Sequence, residues 1–279
     1  MKPIYTFLFI VVILNLNCCA SSNSQADDIQ ITIEKQEKKA ERIIPQNETQ
    51  YKVIKDIPTP DGYTRIDAGS NSYAEYLRNL PLKQENNIVF LYNGDKKFSQ
   101  AAQFVVIDID VGKRDLQQCA DAVMRLRGEY LFKNQRYGEI HFNFLRDGKP
   151  RYYTKFAGSD RSHKKFRKYM DYIFAYANTA SLHNEMAIVK LKNMQIGDVF
   201  IEKGRPYGHA ISVVDMAENT ETDDKIFMLV QSYMPAQEMH ILKNMSSSKF
   251  SPWYSINFGE ILVTPEWNFT KNDLKRFRN

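Results

Sequence analysis

The stretch Gly197-Asp198-Val199-Phe200, followed by Gly208-His209-Ala210-Ile211-Ser212-Val213-Val214-Asp215, decides the reading of this chain. A Gly-Asp turn leads into one apolar strand, and a glycine then sets a histidine at the head of a second. Runs that are apolar at every position, such as Ile211 to Val214 and Phe227 to Val230, suit central strands covered on both faces. Imidazole at the lip of such a sheet can serve a nucleophile brought from elsewhere in the fold.

Working upstream, the candidate nucleophile is Cys119, since the other two cysteines, Cys18 and Cys19, lie at the end of the N-terminal apolar segment. Asp115-Leu116-Gln117-Gln118 predicts a helix start with Asp115 as N-cap and Gln118 three residues on, so Cys119 falls in the first turn. There the positive end of the helix dipole favours thiolate, and free amides or the Gln117 or Gln118 side chain could hold an oxyanion, although capping explains both glutamines equally well. The same helix presents Leu116, Cys119, Ala120, Val123, Leu126 and Tyr130 on one apolar face, a pattern that equally suits a small core cysteine.

The imidazole needs a third group to fix its tautomer. Asp215 shares the strand face of His209, but six residues of strand separate them by about 20 Å. The strand returning after Glu218 to Lys225 offers Ser232 or Met234 in a symmetric hairpin, and Gln231 or Tyr233 if one residue bulges. Gln231 is the favoured orienting group, with Ser232 as the alternative. Asp198 is expected to organise its turn.

Around this core the order is helices first and antiparallel sheet second, which defines an α+β domain over residues 51–279. Ser72 caps a short helix before Pro81, and Ile88 to Tyr92 and Phe104 to Val111 read as strands. Tyr137 to Arg146 and Arg151 to Phe156 read as strands joined through Asp147-Gly148. Phe166, Tyr169, Met170, Ile173, Phe174 and Ala177 mark an amphipathic helix over 163–177 that packs on the sheet. Later strands are Val199 to Ile201, Ala210 to Met216, Ile226 to Tyr233, Glu238 to Leu242 and Glu260 to Val263.

At the N-terminus, Ile4 to Leu16 is apolar but shorter than the roughly 20 residues of a membrane span, and it reads as an export signal over 1–18. It ends in Leu16-Asn17-Cys18-Cys19, which resembles a bacterial lipobox with Cys19 as the lipidated residue and Cys18 the alternative. Residues 19–50 are polar and charged, a tether with too little apolar surface to repay ordering. The expected location is therefore the cell envelope, on a lipid anchor in the membrane.

A net charge of +5 is too mild to name a partner, and the basic runs Arg161 to Lys168 and Lys275 to Arg278 read as solvated helix faces rather than a nucleic-acid surface. The chain lacks His-Glu-x-x-His, Cys-x-x-Cys, Gly-x-Ser-x-Gly and Walker-type motifs, so no metal and no cofactor is expected.

Taken together, Arg114 to Ala122, Gly197 to Ile201, Gly208-His209-Ala210 and Gln231 to Gln237 resemble the exported bacterial proteins grouped as domain of unknown function 4846. The Gly-Asp turn, the Gly-His strand and the order Cys119 before His209 also resemble the NlpC and CHAP groups of papain-like cell-wall hydrolases. That resemblance implies a papain-like fold, with a helix-rich N-terminal part packed on an antiparallel sheet. It also implies cleavage of amide bonds in peptidoglycan stem peptides, with Cys119 as nucleophile and His209 as base. The usual Asp-Cys-Ser-Gly context is absent around Cys119, and residues 137 to 156 lengthen the separation from His209. The competing expectation is a non-catalytic envelope module that binds glycan, peptide or protein through the basic helix and the Trp253 to Trp267 region.

Overall fold

The computed structural model describes residues 51–278; the expected export signal, Cys18, Cys19 and the expected tether lie outside them. In chain order the elements are β1 (Thr64–Arg65), α1 (Tyr73–Arg78), β2 (Gln103–Val106), α2 (Cys119–Lys133), β3 (His141–Asn143), β4 (Pro150–Tyr152), α3 (Tyr153–Ala157), α4 (His163–Tyr176) and α5 (Thr179–Glu185). There follow β5 (Ala187–Ile188), β6 (Val199–Glu202), β7 (His209–Glu218), β8 (Lys225–Gln231), β9 (His240–Leu242), β10 (Tyr254–Ser255), β11 (Ile261–Val263), β12 (Asn268–Thr270) and β13 (Leu274–Arg276).

Nine strands form one sheet in the order β2-β9-β8-β7-β6-β13-β5, with β1 added to β7 and β10 to β8, and every pairing is antiparallel. The protein is thus a mixed α and β structure on a large antiparallel sheet. Helices and strands are less segregated than expected, because β1 and β2 come from the helical half of the chain and join the main sheet.

The all-apolar strands are buried on both sides. Along β7 and β8, Ile211, Val213, Phe227 and Leu229 pack with Phe200, Leu262 and Phe269, under the β11–β12 hairpin. The opposite face carries Val214, Met228 and Val230, packed with Ala122 and Leu126 of α2 and with Trp253. Helix α4 has the expected amphipathic pattern, burying Phe166, Tyr169, Met170, Ile173 and Phe174. It seats on α2 at Gly128, where an added Cβ would come within 3.2 Å of both Met170 and Phe166.

Several elements differ from expectation for local reasons. Ile88 to Tyr92 makes only isolated bridges, Phe90 with Lys96 and Leu91 with Gln237. The strand expected over Phe104 to Val111 ends at Val106, and Ile107 bridges to Leu82 instead. The Asp147-Gly148 hairpin forms, with Phe142 opposite Arg151, but Tyr153 turns directly into α3. The C-terminal basic run is not a solvated helix: Leu274–Arg276 is β13, between β6 and β5, with Lys275 and Leu274 buried.

Asp215, fully buried, accepts from Arg65 Nε at 2.7 Å and from Arg78 Nε, tying β1 and α1 to β7. Asp215→Ala would leave the buried Arg78 guanidinium with only the Met216 carbonyl as acceptor and should lower unfolding free energy by about 3–5 kcal/mol. Arg114→Ala, which breaks an exposed pair with Asp171, should cost no more than about 1 kcal/mol by the same urea titration. Equal effects from the two variants would refute the structural role given to Asp215.

Candidate active site

The turn before β6 requires its glycine. Gly197 has φ 95°, and a Cβ there would lie 2.7 Å from the Tyr73 ring. Asp198 organises this turn as expected, accepting from Gln195 N at 2.8 Å, and also takes Arg276 Nε at 2.6 Å and Nη2 at 2.8 Å. Gly208 leaves room for backbone: a Cβ would stand 2.2 Å from Glu202 O. His209 follows at the first position of β7, opposite Glu202.

The helix carrying Cys119 begins later than its sequence suggests. Asp115 is not the N-cap, because its carboxylate accepts from Ala236 N at 2.7 Å and from Gln118 Nε2 at 3.0 Å. Gln118 takes the cap position, and Asp121 closes the turn by accepting from Gln118 N at 3.1 Å. With its amide engaged by Asp115, the Gln118 side chain is a loop tie rather than a free oxyanion donor. Cys119 is therefore the first helical residue.

Its sulfur lies on a cleft of about 270 Å³ whose wall includes Gln118, Asp121, Thr179, Tyr207 and Gly208. Sγ approaches Thr179 Oγ1 and Gly208 O at 3.9 Å each. Among the described residues no hydrogen bond joins it to the His209 ring. Ala210 packs in the cluster of Cys119, whereas the His209 ring stacks on Phe269 at 5.9 Å, on the hairpin side of the sheet. The structure thus brings Cys119 to the backbone flanking His209, on the other side of the strand from the imidazole.

The thiol is also not of the thiolate type that the helix dipole would promote. Burial raises its pKa, and Asp121, itself a buried carboxyl pushed well above the usual range, raises it further. Thr179 and the amides of Ala120 and Ala210 oppose this only in part. In the resting protein the sulfur is protonated at neutral pH.

His209 is held by a buried polar chain. Glu266, ion-paired with Lys97 at 2.6 Å, can only accept, so the Gln231 amide turns its Nε2 toward it at 2.5 Å. Gln231 Oε1 then faces His209, whose Nε2 must donate across 3.1 Å. The second Gln231 N–H reaches His240 Nε2 at 3.2 Å, and His240 Nδ1 donates to Glu238 O at 3.0 Å. The Gln231 amide is fully paired, and the His209 lone pair is left on Nδ1. Burial holds His209 at about 4 and His240 at about 3, so both rings are neutral.

Of the two expected orienting groups, Gln231 contacts the imidazole. Ser232 does not, because its hydroxyl donates to Gln237 O at 2.8 Å and lies 3.2 Å from Gln117 O. Tyr233 and Trp267 pack against the imidazole at 4.8 and 5.3 Å. Trp253, which bounds the region considered for a binding module, is buried and donates to Pro58 O. Sequence reasoning missed His240, Glu266 and Lys97. His240 stands opposite Gln231 across the β8–β9 ladder, so pairing those strands would have found it; Glu266 and Lys97 come from loops without a periodic signal. Among the described residues no group of three or more His, Cys, Asp or Glu could share a metal ion, and no helix is long and apolar enough to cross a membrane.

Fold and site together define a mixed α and β protein with a thiol cleft on one side of its sheet and an oriented, neutral histidine on the other. The chain belongs to the family described as Domain of unknown function (4846), whose model matches residues 53–276. No match was found among curated proteins or among solved structures.

Two imidazoles with depressed pKa values make stability sensitive to acid. Unfolding returns each ring to its ordinary 6.5, so the unfolded state binds more protons as the pH falls below that value. The contribution of the neutral rings is complete above about pH 6.5 and is lost as the pH falls through the folded values near 4 and 3. Near pH 5 the slope should approach about 2.7 kcal/mol per pH unit, two protons' worth. Urea titrations between pH 7 and 4.5 measure it, and His240→Gln should roughly halve the slope. A pH-independent midpoint would contradict the buried neutral pair.

Proposed function

We propose that this protein is a lipid-anchored cell-envelope cysteine hydrolase on a papain-like scaffold, cleaving amide bonds of peptidoglycan stem peptides. The observation that supports this reading best is the tautomer of His209. The chain Lys97-Glu266-Gln231 fixes Nε2 as donor and leaves Nδ1 as the base, while Cys119 lines a cleft beside the peptide that carries the ring.

In this mechanism the site rests as neutral thiol and neutral imidazole. The reaction requires Sγ and Nδ1 to come within hydrogen-bond reach when substrate binds, a rearrangement of the resting site; Nδ1 then takes the thiol proton as Sγ adds to the carbonyl carbon. The C–N bond then breaks, the amine leaves with the proton held on the imidazolium, and a thioester remains. Water, deprotonated by the same Nδ1, hydrolyses the thioester and restores the thiol.

A second reading is a non-catalytic envelope module that binds glycan or peptide. It is favoured by the sulfur's contacts, which are Thr179 and Gly208 rather than the imidazole, and by the burial that raises the thiol pKa. Slow alkylation of folded Cys119 relative to denatured protein is expected under both readings. Activity decides between them.

Cys119→Ser and His209→Ala should each reduce release of stem-peptide fragments from purified peptidoglycan by at least about 10³-fold. Release unchanged in either variant, or absent from the unaltered protein, removes the mechanism and leaves the binding module. Because His209 must be neutral to act as base, kcat/KM should hold down to acid pH and fall only near pH 4. A limb near the ordinary 6.5 would show that the ring is not buried in the working enzyme.

A further inference from the structure

Two turns along α2 from Cys119 lies a second cavity, of about 360 Å³, between the helix, the β3–β4 hairpin, α5 and the residues after β13. Arg127 forms part of its wall and is 9% exposed. The guanidinium carbon sits 5.2, 5.5 and 5.6 Å from the ring centres of Tyr73, Tyr130 and Phe277. Those rings hold a cation in place but accept none of its in-plane N–H groups.

Among the described residues no hydrogen bond or ion pair engages Arg127, and its Nε is enclosed without a partner. The other buried cations are served: Arg78 by Asp215, Arg125 by Glu129 and Gln117, Lys97 by Glu266, and Lys275 by the His183 carbonyl. The carboxylates of this cavity take their hydrogen bonds elsewhere, and Glu139 acts on Arg127 only through space. Glu139 takes the Arg136 fork at 2.6 and 2.5 Å, and Glu185 accepts from Asn143 N at 2.9 Å. An enclosed N–H without an acceptor is costly, and the guanidinium that carries it borders open volume large enough for a small ligand.

We propose that this cavity binds a carboxylate, carried by a free amino acid or by the C-terminal end of a peptide, with Arg127 as the anchoring fork. A planar monoanion suits the two parallel N–H donors of guanidinium. Glu139 and Glu185 in the wall disfavour a dianion such as phosphate. The site is separate from the Cys119 cleft and does not depend on the hydrolase reading.

The test is calorimetric titration of the full-length protein at fixed ionic strength with N-acetylalanine, alanine, N-acetylalaninamide and inorganic phosphate. Saturable binding of N-acetylalanine or alanine is expected, with the amide inert and phosphate weaker. Preference for N-acetylalanine identifies a peptide end, and preference for alanine a free amino acid. Arg127→Lys, which keeps the charge and loses the fork, should weaken the preferred ligand at least tenfold. The proposal falls if neither carboxylate binds, if the amide or phosphate binds as well, or if a folded Arg127→Lys binds unchanged. Should that variant fail to fold, the amide control on the unaltered protein still decides.

Discussion

One extra residue in the ladder between β7 and β8 sets the site. Ser212 and Val213 stand opposite Val230 and Leu229, yet Asp215 and Met216 stand opposite Met228 and Phe227, so the register slips at Val214. A slip of one residue exchanges the two faces of a strand. Before it, Ile211 and Val213 face the β11–β12 hairpin; beyond it, Met216 does, while Val214 packs against the helices. Without the bulge the hairpin would carry Ser232 or Met234 to the histidine. With it, Gln231 arrives, and an amide can do what a hydroxyl could not: accept from His209 with one end and donate to Glu266 and His240 with the other.

That amide organises a buried polar chain of five side chains, from Lys97 to His209. Such a network is worth keeping only when every member is satisfied, because an unpaired polar group in a low-dielectric interior costs more than its bond returns. The satisfaction here is directional. The Lys97–Glu266 ion pair fixes the amide, the amide fixes both imidazoles, and the proton positions follow from the ends inward.

Much of the sheet was legible because its signals are local. The doubly apolar runs announced β7 and β8, helical spacing announced α4, and Asp147-Gly148 announced a hairpin. The site was legible where one residue type and one strand sufficed: Gly208 for close approach, His209 at a strand head, and Gln231 as one of the groups a bulge would supply. It was not legible where a competing partner lies far along the chain. Asp115 looked like an N-cap, but Ala236 claims its carboxylate, and the helix starts at Cys119 instead. Lys275 and Arg276 looked solvated, but Asp198 draws Arg276 into a strand. The helix dipole argued for thiolate and the apolar helix face for a core cysteine; burial outweighs the dipole, as the second pattern implied.

The position of β13 bears on how this domain can assemble as it emerges from a ribosome or a translocation pore. Strand β5 reaches the sheet only through β13, which is inserted between it and β6. For the whole span from Ile188 to Leu274 the growing chain holds one strand with nothing to pair to and another with a bare flank. Closure of that edge is necessarily a late, non-local event. Holding factors that shield exposed strand flanks would find this side of the sheet available longest.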